Sequence, residues 1–362
     1  MIRVVIVDDS AVVRKVLSEE LSRYDDIEVV GTAIDPYVAR DKIVKLKPDV
    51  VTLDVEMPRM DGLSFLAKLM KYYPLPVVIV SSLTPQHSEA AIRALSLGAV
   101  EVICKPGTQF SVPDVASELV RAIRAAAMAR LPQKDNLPAG PPVTVESPAI
   151  HLATTHKVLA IGASTGGTRA IEALLRALPA NLSGTVIVQH MPEHFTAAFA
   201  SRLNQVCPME VREARDNDAV VPGVALIAPG NRHMLLHKSG AKYFVRLKDG
   251  PPVHHHRPSV DVLFHSVARN AGRNAVGVIL TGMGADGAKG MLAMYESGAY
   301  TLAEHEKSCV VFGMPKEAIK LDAVHAITPL PHMAQAVLRA LTRQYEAMVE
   351  ASPVTDLPLA SL

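Results

Sequence analysis

The strongest constraint on the fold is a pattern of short β-branched runs that alternate with longer, helix-length segments along the whole chain. This alternation is typical of β-α-β units, in which parallel strands form a sheet and helices cover both of its faces. The predicted strands of the first half are residues 2–7, 28–31, 50–54, 77–80 and 100–104. The pattern restarts at residues 158–161, 185–189, 224–228, 276–280 and 299–302. The sequence therefore predicts an α/β protein with two doubly wound parallel-sheet domains.

A proline-rich stretch separates the two halves. Residues 131–149 (LPQKDNLPAGPPVTVESPA) carry five prolines and no apolar periodicity, which is typical of an extended, semi-rigid linker. A chain of 362 residues also suits two domains of roughly 100–200 residues each. We therefore expect a first domain at residues 1–125, a linker at 126–155, a second domain at 156–345 and a flexible tail at 346–362.

Composition and charge indicate where the protein is located and which classes of partner it does not bind. Its 37 basic and 36 acidic residues give a formal net charge of +1, which offers no basic surface for nucleic acid. The apolar start runs directly into Asp8, unlike a signal peptide, and no apolar run reaches the length of about 18 residues that spans a membrane. Cys104, Cys207 and Cys309 are widely spaced and indicate no disulfide framework. We therefore predict a cytoplasmic protein with no nucleic-acid partner and no membrane insertion.

Acidic, hydroxyl and basic side chains follow the predicted strands of the first half. Asp8 and Asp9 follow the first strand, Asp54 ends the third, Ser81 follows the fourth and Lys105 follows the fifth. We expect these side chains to converge, because the carboxyl ends of parallel strands meet at one edge of a sheet. Clustered carboxylates repel each other unless a hard cation lies among them, and Mg²⁺ prefers oxygen ligands. The pocket therefore predicts transfer of a phosphoryl group to Asp54, with Mg²⁺ and Lys105 neutralising its oxygens and the Ser81 hydroxyl bonding it afterwards.

Taken alone, an aspartate after a strand is more often a loop or helix-capping residue. Together, VDDS, LDVEMPRMDG, SS and CKP stand in an order that resembles the receiver domain of two-component signalling, over about residues 1–125. The resemblance implies a flavodoxin-like fold and phosphorylation of Asp54 by a histidine kinase. It also implies that Mg²⁺ is held in this acidic cluster by Asp9, Asp54 and the backbone carbonyl of Glu56, next to Asp8.

Two further features of the first half concern the switch. The resemblance makes Ser81 the switch hydroxyl and Lys105 the lysine that pairs with the phosphoryl group, and it predicts a cis peptide bond between Lys105 and Pro106. Receivers usually carry an aromatic switch residue three positions before this lysine. Here that position is Val102, so the resemblance does not extend to the aromatic part of the switch.

The second half places a serine in a glycine-rich turn. The segment GASTGG at 162–167 follows a predicted strand, precedes a helical pattern and matches G-x-S-x-G with Ser164 at its centre. Small neighbours let such a turn expose the serine hydroxyl, with helix N–H groups facing a developing oxyanion. The segment lacks the Lys-Ser/Thr ending of a Walker motif and the spacing G-x-G-x-x-G. A nucleophile, a phosphate-binding loop and a structural turn all stay open on this segment alone.

Two other strand ends complete a possible hydrolase site. His190 ends the second strand of this half, in VIVQHMP, and Asp286 lies in TGMGADG after the fourth. A histidine at a strand end is more often structural when it is taken alone. Ser164, His190 and Asp286 nevertheless supply the nucleophile, the general base and the orienting carboxylate that acyl transfer requires.

The motifs IGASTGG, VQHMP, HRPSVDVLF, LTGMGADGA and VFGMPKEAI resemble, in this order, the chemotaxis protein-glutamate methylesterase family (CheB) over about residues 156–345. The resemblance implies a Rossmann-like domain that hydrolyses glutamate methyl esters on the cytoplasmic parts of chemoreceptors, and that also deamidates selected glutamines. It implies Ser164 as the nucleophile, His190 as the base and Asp286 as its orienting group. It suggests the backbone N–H groups of Thr165 and Met283 as oxyanion donors, and it implies no cofactor for the esterase.

The run His254-His255-His256 suggests a metal site, yet three consecutive side chains cannot all face one ion with ordinary geometry. The resemblance instead places HRPSVD near the surface that faces the substrate, where His256, Arg257 and Ser259 help to shape the site. Two rival functions are a receiver that controls a nucleotide-binding effector and a non-catalytic docking module. The missing lysine in GASTGG disfavours the first, and three catalytic side chain types after three strands disfavour the second.

The two halves are also expected to communicate. The resemblance implies that the unphosphorylated receiver covers the cleft at Ser164. A linker of about 25–30 residues, extended at about 3 Å per residue, lets one domain reach across the face of the other. We therefore expect a docking equilibrium, shifted by phosphorylation of Asp54, to control the resting activity.

Overall fold

The computed structural model describes residues 1–57, 61–82, 84–105, 112–131 and 157–342. The predicted tail at 346–362 lies outside these residues, and so does the predicted linker beyond residue 131. Pro106 also lies outside them, so the predicted cis bond after Lys105 stays a prediction. Within the described chain, no helix is both long enough and apolar enough to cross a membrane.

The first domain consists of β1 (Ile2–Val7), α1 (Ala11–Leu21), β2 (Ile27–Ala33), α2 (Pro36–Leu46), β3 (Val50–Leu53), α3 (Gly62–Tyr72), β4 (Val77–Ser81), α4 (Pro85–Leu97), β5 (Glu101–Cys104) and α5 (Val112–Ala127). Its five strands pair in parallel in the order β2-β1-β3-β4-β5. The order reverses between β1 and β3, and such a switch point opens a crevice at the carboxyl ends of the strands.

The alternation of side chains in the strands gives this sheet two apolar faces. In β1, Val5 and Val7 pack into one cluster with residues of α2, α3 and α4, whereas Val4 and Ile6 pack into another with residues of α1 and α5. Successive side chains of a strand point to opposite faces, and a sheet buried on both faces needs apolar residues at every position. This requirement explains the continuous apolar run VVIV at residues 4–7, all of which are buried.

The second domain consists of β6 (Val158–Ala163), α6 (Gly167–Arg176), β7 (Thr185–Gln189), α7 (Phe195–Val206), β8 (Glu210–Glu213), β9 (Val224–Ile227), β10 (His233–Ser239), β11 (Lys242–Lys248), α8 (Val260–Ala271), β12 (Ala275–Ile279), α9 (Ala288–Glu296), β13 (Tyr300–Glu304), α10 (Met314–Lys320), β14 (Ala326–Thr328) and α11 (Leu330–Leu341). Seven of its strands form a parallel sheet in the order β14-β13-β12-β6-β7-β9-β8. The predicted α/β fold class is confirmed in both halves.

Four strands of this domain are absent from the sequence prediction, and each has a physical reason. β8 (EVRE) and β14 (AIT) lie at the two edges of the sheet, where short strands with few buried residues give a weak apolar signal. β10 and β11 form a separate antiparallel hairpin with mixed burial. Prediction by β-branched runs finds central, fully buried strands and misses such peripheral ones.

The two domains contact each other directly. Helix α4 of the first domain lies against α6 and α7 of the second. Apolar residues of both domains belong to one cluster, which includes Leu95 of α4, Ile171 of α6 and Phe199 of α7. The first domain therefore covers the part of the second domain that surrounds the amino end of α6.

Candidate active site and phosphorylation site

Ser164 lies in the turn that joins β6 to α6, at the carboxyl end of the central strand of the sheet. Gly166 in this turn has φ +80°, and a Cβ atom there would lie 2.5 Å from Cβ of Val310. Only glycine adopts this conformation in this space without strain. Before the turn, a Cβ atom at Gly162 would lie 2.2 Å from Cγ1 of Val260. The small residues of GASTGG are therefore required for the close packing around Ser164.

His190 and Asp286 form a buried pair beside this turn. His190 directly follows β7, and its Nε2 lies 2.7 Å from Oδ2 of Asp286. When Nε2 donates its proton to the carboxylate, Nδ1 carries the lone pair of the neutral ring. Nδ1 is buried and has no hydrogen-bond partner in the described parts of the chain. Ser164 and His190 line one small cavity. No hydrogen bond joins the Ser164 hydroxyl to Nδ1 in this state of the described chain, and Nδ1 is the ring nitrogen left for the serine proton when Nε2 is bonded to Asp286.

The Asp286 carboxylate is held by the start of α8. Its Oδ1 accepts hydrogen bonds from Ser259 Oγ at 2.8 Å and from the Asp261 N–H at 3.0 Å, and its Oδ2 accepts the Val260 N–H at 2.8 Å. Burial acts to raise the pKa of Asp286, but the hydrogen bond and charge of His190 and these other donors hold it below its usual value. The N-terminus of a helix favours a negative charge in the same way. Asp286 is therefore stabilised as the anion that orients a histidine.

The resemblance places Ser259 near the surface that faces the substrate, and in the structure Ser259 lies at the start of α8 and bonds to Asp286. Ser259 is the N-cap of α8 and accepts the Val262 N–H at 3.3 Å, in addition to its bond with Asp286. The signal in the sequence was a serine directly before the apolar run VDVLF, which is typical of a helix N-terminus. What the sequence did not indicate is that this helix points at Asp286.

The two residues suggested as oxyanion donors both lie close to Ser164. Thr165 is the next residue of the turn. Met283 lies in the segment after β12, directly after Gly282, and a Cβ atom added at Gly282 would lie only 2.8 Å from Cβ of Ser164. Neither backbone N–H donates a hydrogen bond to the protein within the described ranges. The absence of a protein acceptor for either N–H fits the suggested role of both groups as donors to an oxyanion.

Two of the three consecutive histidines, His254 and His256, make different contacts. His254 Nε2 lies 3.1 Å from Oδ2 of Asp261, whereas the ring of His256 stacks on the ring of His190 with centroids 3.6 Å apart and planes 11° apart. Burial, with His190 and Arg121 nearby, lowers the pKa of His256. A neutral His256 therefore covers one face of the His190 ring, while Arg257 lies nearby and bonds to Asn231.

The predicted acidic pocket of the first domain is assembled at the carboxyl ends of β1 and β3. Ligand atoms of Asp8, Asp9 and Asp54 all lie within 4.8 Å of one another. Lys105 Nζ lies 2.9 Å from Oδ2 of Asp8 and 2.7 Å from Oδ2 of Asp54. Burial raises the pKa of Asp54, and the hydrogen bond of Lys105 opposes this effect. The site thus combines crowded carboxylates with one lysine, as a divalent cation and a phosphoryl group require.

The hydroxyl expected to bond the phosphoryl group lies at the end of β4. Ser81 is fully buried, and its Oγ has no hydrogen-bond partner within the part of the chain that the structure describes. A buried hydroxyl without a partner is costly unless a ligand completes it. Glu56 follows Asp54 in the same loop, and its N–H donates to Oδ1 of Asp54 at 3.1 Å. These observations fit a site for Mg²⁺ and a phosphoryl group.

The first domain closes the cavity at Ser164. Thr165 Oγ1 donates a hydrogen bond of 2.7 Å to Oε2 of Glu101 at the start of β5. Val102, which takes the position of the usual aromatic switch residue, is buried and lines the cavity together with Leu95 of α4. In this state Val102 contributes packing at the mouth of the Ser164 site.

Arg121 of the first domain and Arg130, which follows α5, make further contacts around the site. Arg121 of α5 places Nη1 2.8 Å from Nε2 of His256, the ring that stacks on His190. Arg130 pairs with Glu306 at 2.6 Å, and its backbone N–H donates to the Val310 carbonyl at 2.9 Å. The first domain therefore contacts the serine turn and the histidine pair, and the segment after α5 contacts the loop after β13.

The fold and both sites define the class of protein: a response regulator whose receiver domain is joined to an enzymatic output domain of the serine-hydrolase type. Comparison with known families agrees with this class. The response regulator receiver domain matches residues 4–114, and the CheB methylesterase matches residues 159–337.

Curated relatives resemble the chain over most of its length. A protein-glutamate methylesterase/protein-glutamine glutaminase of Syntrophus aciditrophicus is 58% identical over 338 residues, which cover 93% of this chain and 98% of the relative. The protein of that name from Salmonella typhimurium is 53% identical over 343 residues, covering 94% and 97%. The crystal structure of the Thermotoga maritima CheB methylesterase catalytic domain superposes with TM-score 0.50 and 36% identity, and the match covers 51% of this chain and 97% of that one. The chain belongs to the CheB methylesterase family.

The geometry predicts the effect of removing each member of the serine, histidine and aspartate set. Ser164→Ala, His190→Ala and Asp286→Asn should each fold normally and lose esterase activity, and Ser164→Ala should lose several orders of magnitude in kcat. Methanol release from a methylated chemoreceptor measures the loss, and circular dichroism checks the fold. Ser201→Ala, which changes an exposed serine of α7, is the control and should keep wild-type activity. Near wild-type methanol release by Ser164→Ala would refute the assignment.

Proposed function

We propose that this chain is a cytoplasmic, phosphorylation-activated protein-glutamate methylesterase that acts on chemoreceptors in chemotactic adaptation. The observation that carries the proposal is the buried His190–Asp286 pair, which leaves Nδ1 of His190 without a partner in the described chain, and the cavity that Ser164 and His190 line together. The family membership of the chain and the names of its curated relatives support the same substrate class.

The reaction follows from the placement of these groups. Ser164 Oγ attacks the γ-carbonyl carbon of the methylated glutamate while His190 takes the hydroxyl proton, and the backbone N–H groups of Thr165 and Met283 bind the oxyanion. The protonated histidine then delivers its proton to the departing methoxide, so that methanol leaves and an acyl-enzyme remains. His190 next removes a proton from water, and the resulting attack releases glutamate and restores Ser164. The carboxylate of Asp286 stabilises the imidazolium in both halves of the reaction.

Deamidation of receptor glutamines needs the same groups. The γ-carboxamide of glutamine presents a carbonyl in the same position, and ammonia takes the place of methanol as the leaving group after it receives the proton of His190. The names of the curated relatives couple the two activities. We therefore include glutamine deamidation in the proposed function, and the esterase site needs no cofactor for either reaction.

The rival functions fit the site less well. A phosphate-binding loop needs cations or several N–H groups around the ligand. The cavity at Ser164 is lined mainly by apolar and neutral residues, and Glu101 is the charged group among them. A non-catalytic docking module would have no use for a buried carboxylate that is bonded to a histidine, because burying such a charge is costly.

The receiver would be controlled by a chemotaxis histidine kinase that donates a phosphoryl group to Asp54. Mg²⁺, held by Asp9, Asp54 and the Glu56 carbonyl in the cluster that includes Asp8, would neutralise the phosphoryl oxygens during transfer. Lys105 already contacts both Asp8 and Asp54, and Ser81 lies buried at the end of the neighbouring strand.

The acidic pocket predicts an acylphosphate on Asp54. Incubation with a small phosphodonor and Mg²⁺ should label the protein with a phosphoryl group that hydroxylamine releases, and Asp54→Asn should not be labelled. The matched control is Asp41→Asn, which removes an exposed carboxylate that pairs with Arg40 and should leave labelling unchanged. Persistence of the label in Asp54→Asn, or its appearance on a serine or histidine, would contradict the assignment.

We also propose that receiver docking restricts the esterase in the resting state. The hydrogen bonds Glu101–Thr165 and Arg121–His256 cross from the first domain to the surroundings of Ser164, in addition to the apolar packing of α4 on α6 and α7. The exposed pair of Arg130, just after α5, with Glu306 contributes only about 0–1 kcal/mol. Phosphorylation adds a charge of close to two units, which shifts the equilibrium between docked and open states.

The docking contacts predict variants with raised resting activity. Glu101→Ala and Arg121→Ala should each raise the unphosphorylated rate several-fold, because each removes a contact that holds the receiver over the cleft. The control is Arg124→Ala on the same helix, since Arg124 pairs with Asp26 inside the receiver and should leave the rate unchanged. Initial rates of methanol release with and without phosphodonor measure the effect.

A fragment that begins near residue 150 provides a second measurement of the same equilibrium. It should exceed the resting full-length protein in rate, and it should not respond to the phosphodonor that activates the full-length chain. A fragment slower than the resting full-length enzyme would reject masking. It would mean instead that the receiver mainly activates, for example by positioning the esterase on its receptor.

A further inference from the structure

A buried carboxyl group that the proposed reaction does not use lies directly behind the Ser164 turn. Glu304 is the last residue of β13, and its side chain is fully buried. Its Oε2 accepts the N–H of Thr281 at 2.9 Å. Burying a carboxyl group costs stability unless hydrogen bonds compensate for the loss of water. The hydrogen bond to Thr281 links this buried carboxyl group to the segment that carries Met283 and Asp286.

The hydrogen bond between Glu304 and Thr281 takes the place of a backbone hydrogen bond that would continue the pairing of β12 with β13. The last paired residues of β12 and β13 are Ile279 and Ala303. Beyond them, the chain after β12 turns into the glycine-rich segment that contains Met283 and Asp286, and no backbone carbonyl accepts the Thr281 N–H within the described ranges. The Glu304 side chain supplies that acceptor. A side-chain oxygen therefore fixes the first residues of this segment.

Thr281 in turn holds the nucleophile turn at two points. Its carbonyl oxygen accepts the N–H of Ser164 at 3.0 Å. Its Oγ1 lies 3.0 Å from the carbonyl oxygen of Thr165 and accepts the N–H of Val311 at 2.9 Å. One buried threonine thus bonds the backbone of both the proposed nucleophile and the proposed oxyanion donor.

We propose that Glu304 is a positioning residue of the esterase, which acts through Thr281 to fix the backbone of Ser164 and Thr165 in the geometry of acyl transfer. The inference rests on the proposed hydrolase function and adds a residue to it. Displacements of about 1 Å at a catalytic site can cost 10²-fold in rate. A buried acceptor that is connected to Ser164 through two hydrogen bonds and Thr281 can therefore control kcat without touching the substrate.

The chemical role of Glu304 is to accept a hydrogen bond. Burial raises the pKa of Glu304, which favours the neutral acid over the carboxylate. A carboxamide has the same shape as a neutral carboxylic acid and keeps the acceptor oxygen, whereas a thioether of the same length is only a weak acceptor. Glutamine should therefore replace Glu304, and methionine should not.

The test compares Glu304→Gln and Glu304→Met in the full-length protein, activated by a small phosphodonor with Mg²⁺. Glu304→Gln should keep kcat within about 2- to 3-fold of wild type, because it keeps the acceptor. Glu304→Met should lower kcat by about 10- to 100-fold, because the Thr281 N–H loses its partner and the turn can shift. The KM for the methylated receptor should be unchanged in both, since neither change touches the substrate.

A matched control separates positioning from stability. Thr301→Val lies on the same strand and removes the contact of Thr301 Oγ1 with Nδ1 of His325, which are 2.8 Å apart. This variant should lower Tm while kcat stays at the wild-type value. Wild-type kcat in Glu304→Met would overturn the proposal. An equal loss in Glu304→Gln and Glu304→Met would also overturn it, because charge and not the acceptor would then matter.

A second measurement keeps this test independent of the proposed substrate. The rate at which a fluorophosphonate probe labels Ser164 should be lowered in Glu304→Met and retained in Glu304→Gln. If the wild-type protein reacts with the probe but releases no methanol from methylated receptors, the proposed substrate is wrong. The labelling rates of the two variants then still decide whether Glu304 positions the serine.

Discussion

The convergence of parallel strands at one sheet edge is the constraint on which both sites depend. In the second domain β6, β7, β12 and β13 end at this edge, and they deliver Ser164, His190, the segment with Asp286, and Glu304. In the first domain the same geometry brings Asp8, Asp54, Ser81 and Lys105 together. Parallel strands must all leave the sheet in the same direction, so residues far apart in sequence become neighbours without any local signal. The chemistry of the chain follows from this rule applied twice.

Within the second domain, hydrogen-bond donors at the same edge compensate for the burial of the Asp286 carboxylate. Asp286 is almost fully buried, and four donors from His190 and the start of α8 compensate for the loss of water around its carboxylate. A buried anion of this kind is tolerable only when its hydrogen bonds are complete. The completed bonds also fix the direction of the carboxylate. The His190 ring is consequently held in one orientation, with His256 packed against its face.

The interface between the domains uses residues that also belong to the catalytic surroundings. Thr165 is a member of the serine turn and bonds to Glu101 of the receiver, and His256 covers His190 and contacts Arg121. The residues that join the domains therefore also surround Ser164 and His190, and the proposed docking equilibrium would act on both access to the cavity and the groups that line it.

The sequence by itself determined the two α/β domains, the order of their central strands along the chain and the residues that follow each strand. These properties are local, because β-branched runs, glycine-rich turns and helix caps can each be recognised within a single segment of the sequence. It also indicated Ser164, His190, Asp286 and Asp54, because each stands at a strand end within a distinctive motif. The sequence does not predict the peripheral strands β8, β10, β11 and β14. Their sequences are short or polar, and they form strands only because they pair with a neighbour.

Only the tertiary structure decided which groups touch. The helix start at Ser259 that faces Asp286, the stacking of His256 on His190, and the bond from Thr281 to Glu304 all join segments that are distant in sequence. The placement of Glu101 against Thr165 likewise depends on how two separate domains pack. Such contacts arise from the packing of the whole chain, in which each partner is chosen by the position of its element in space. No motif of a single segment carries that information.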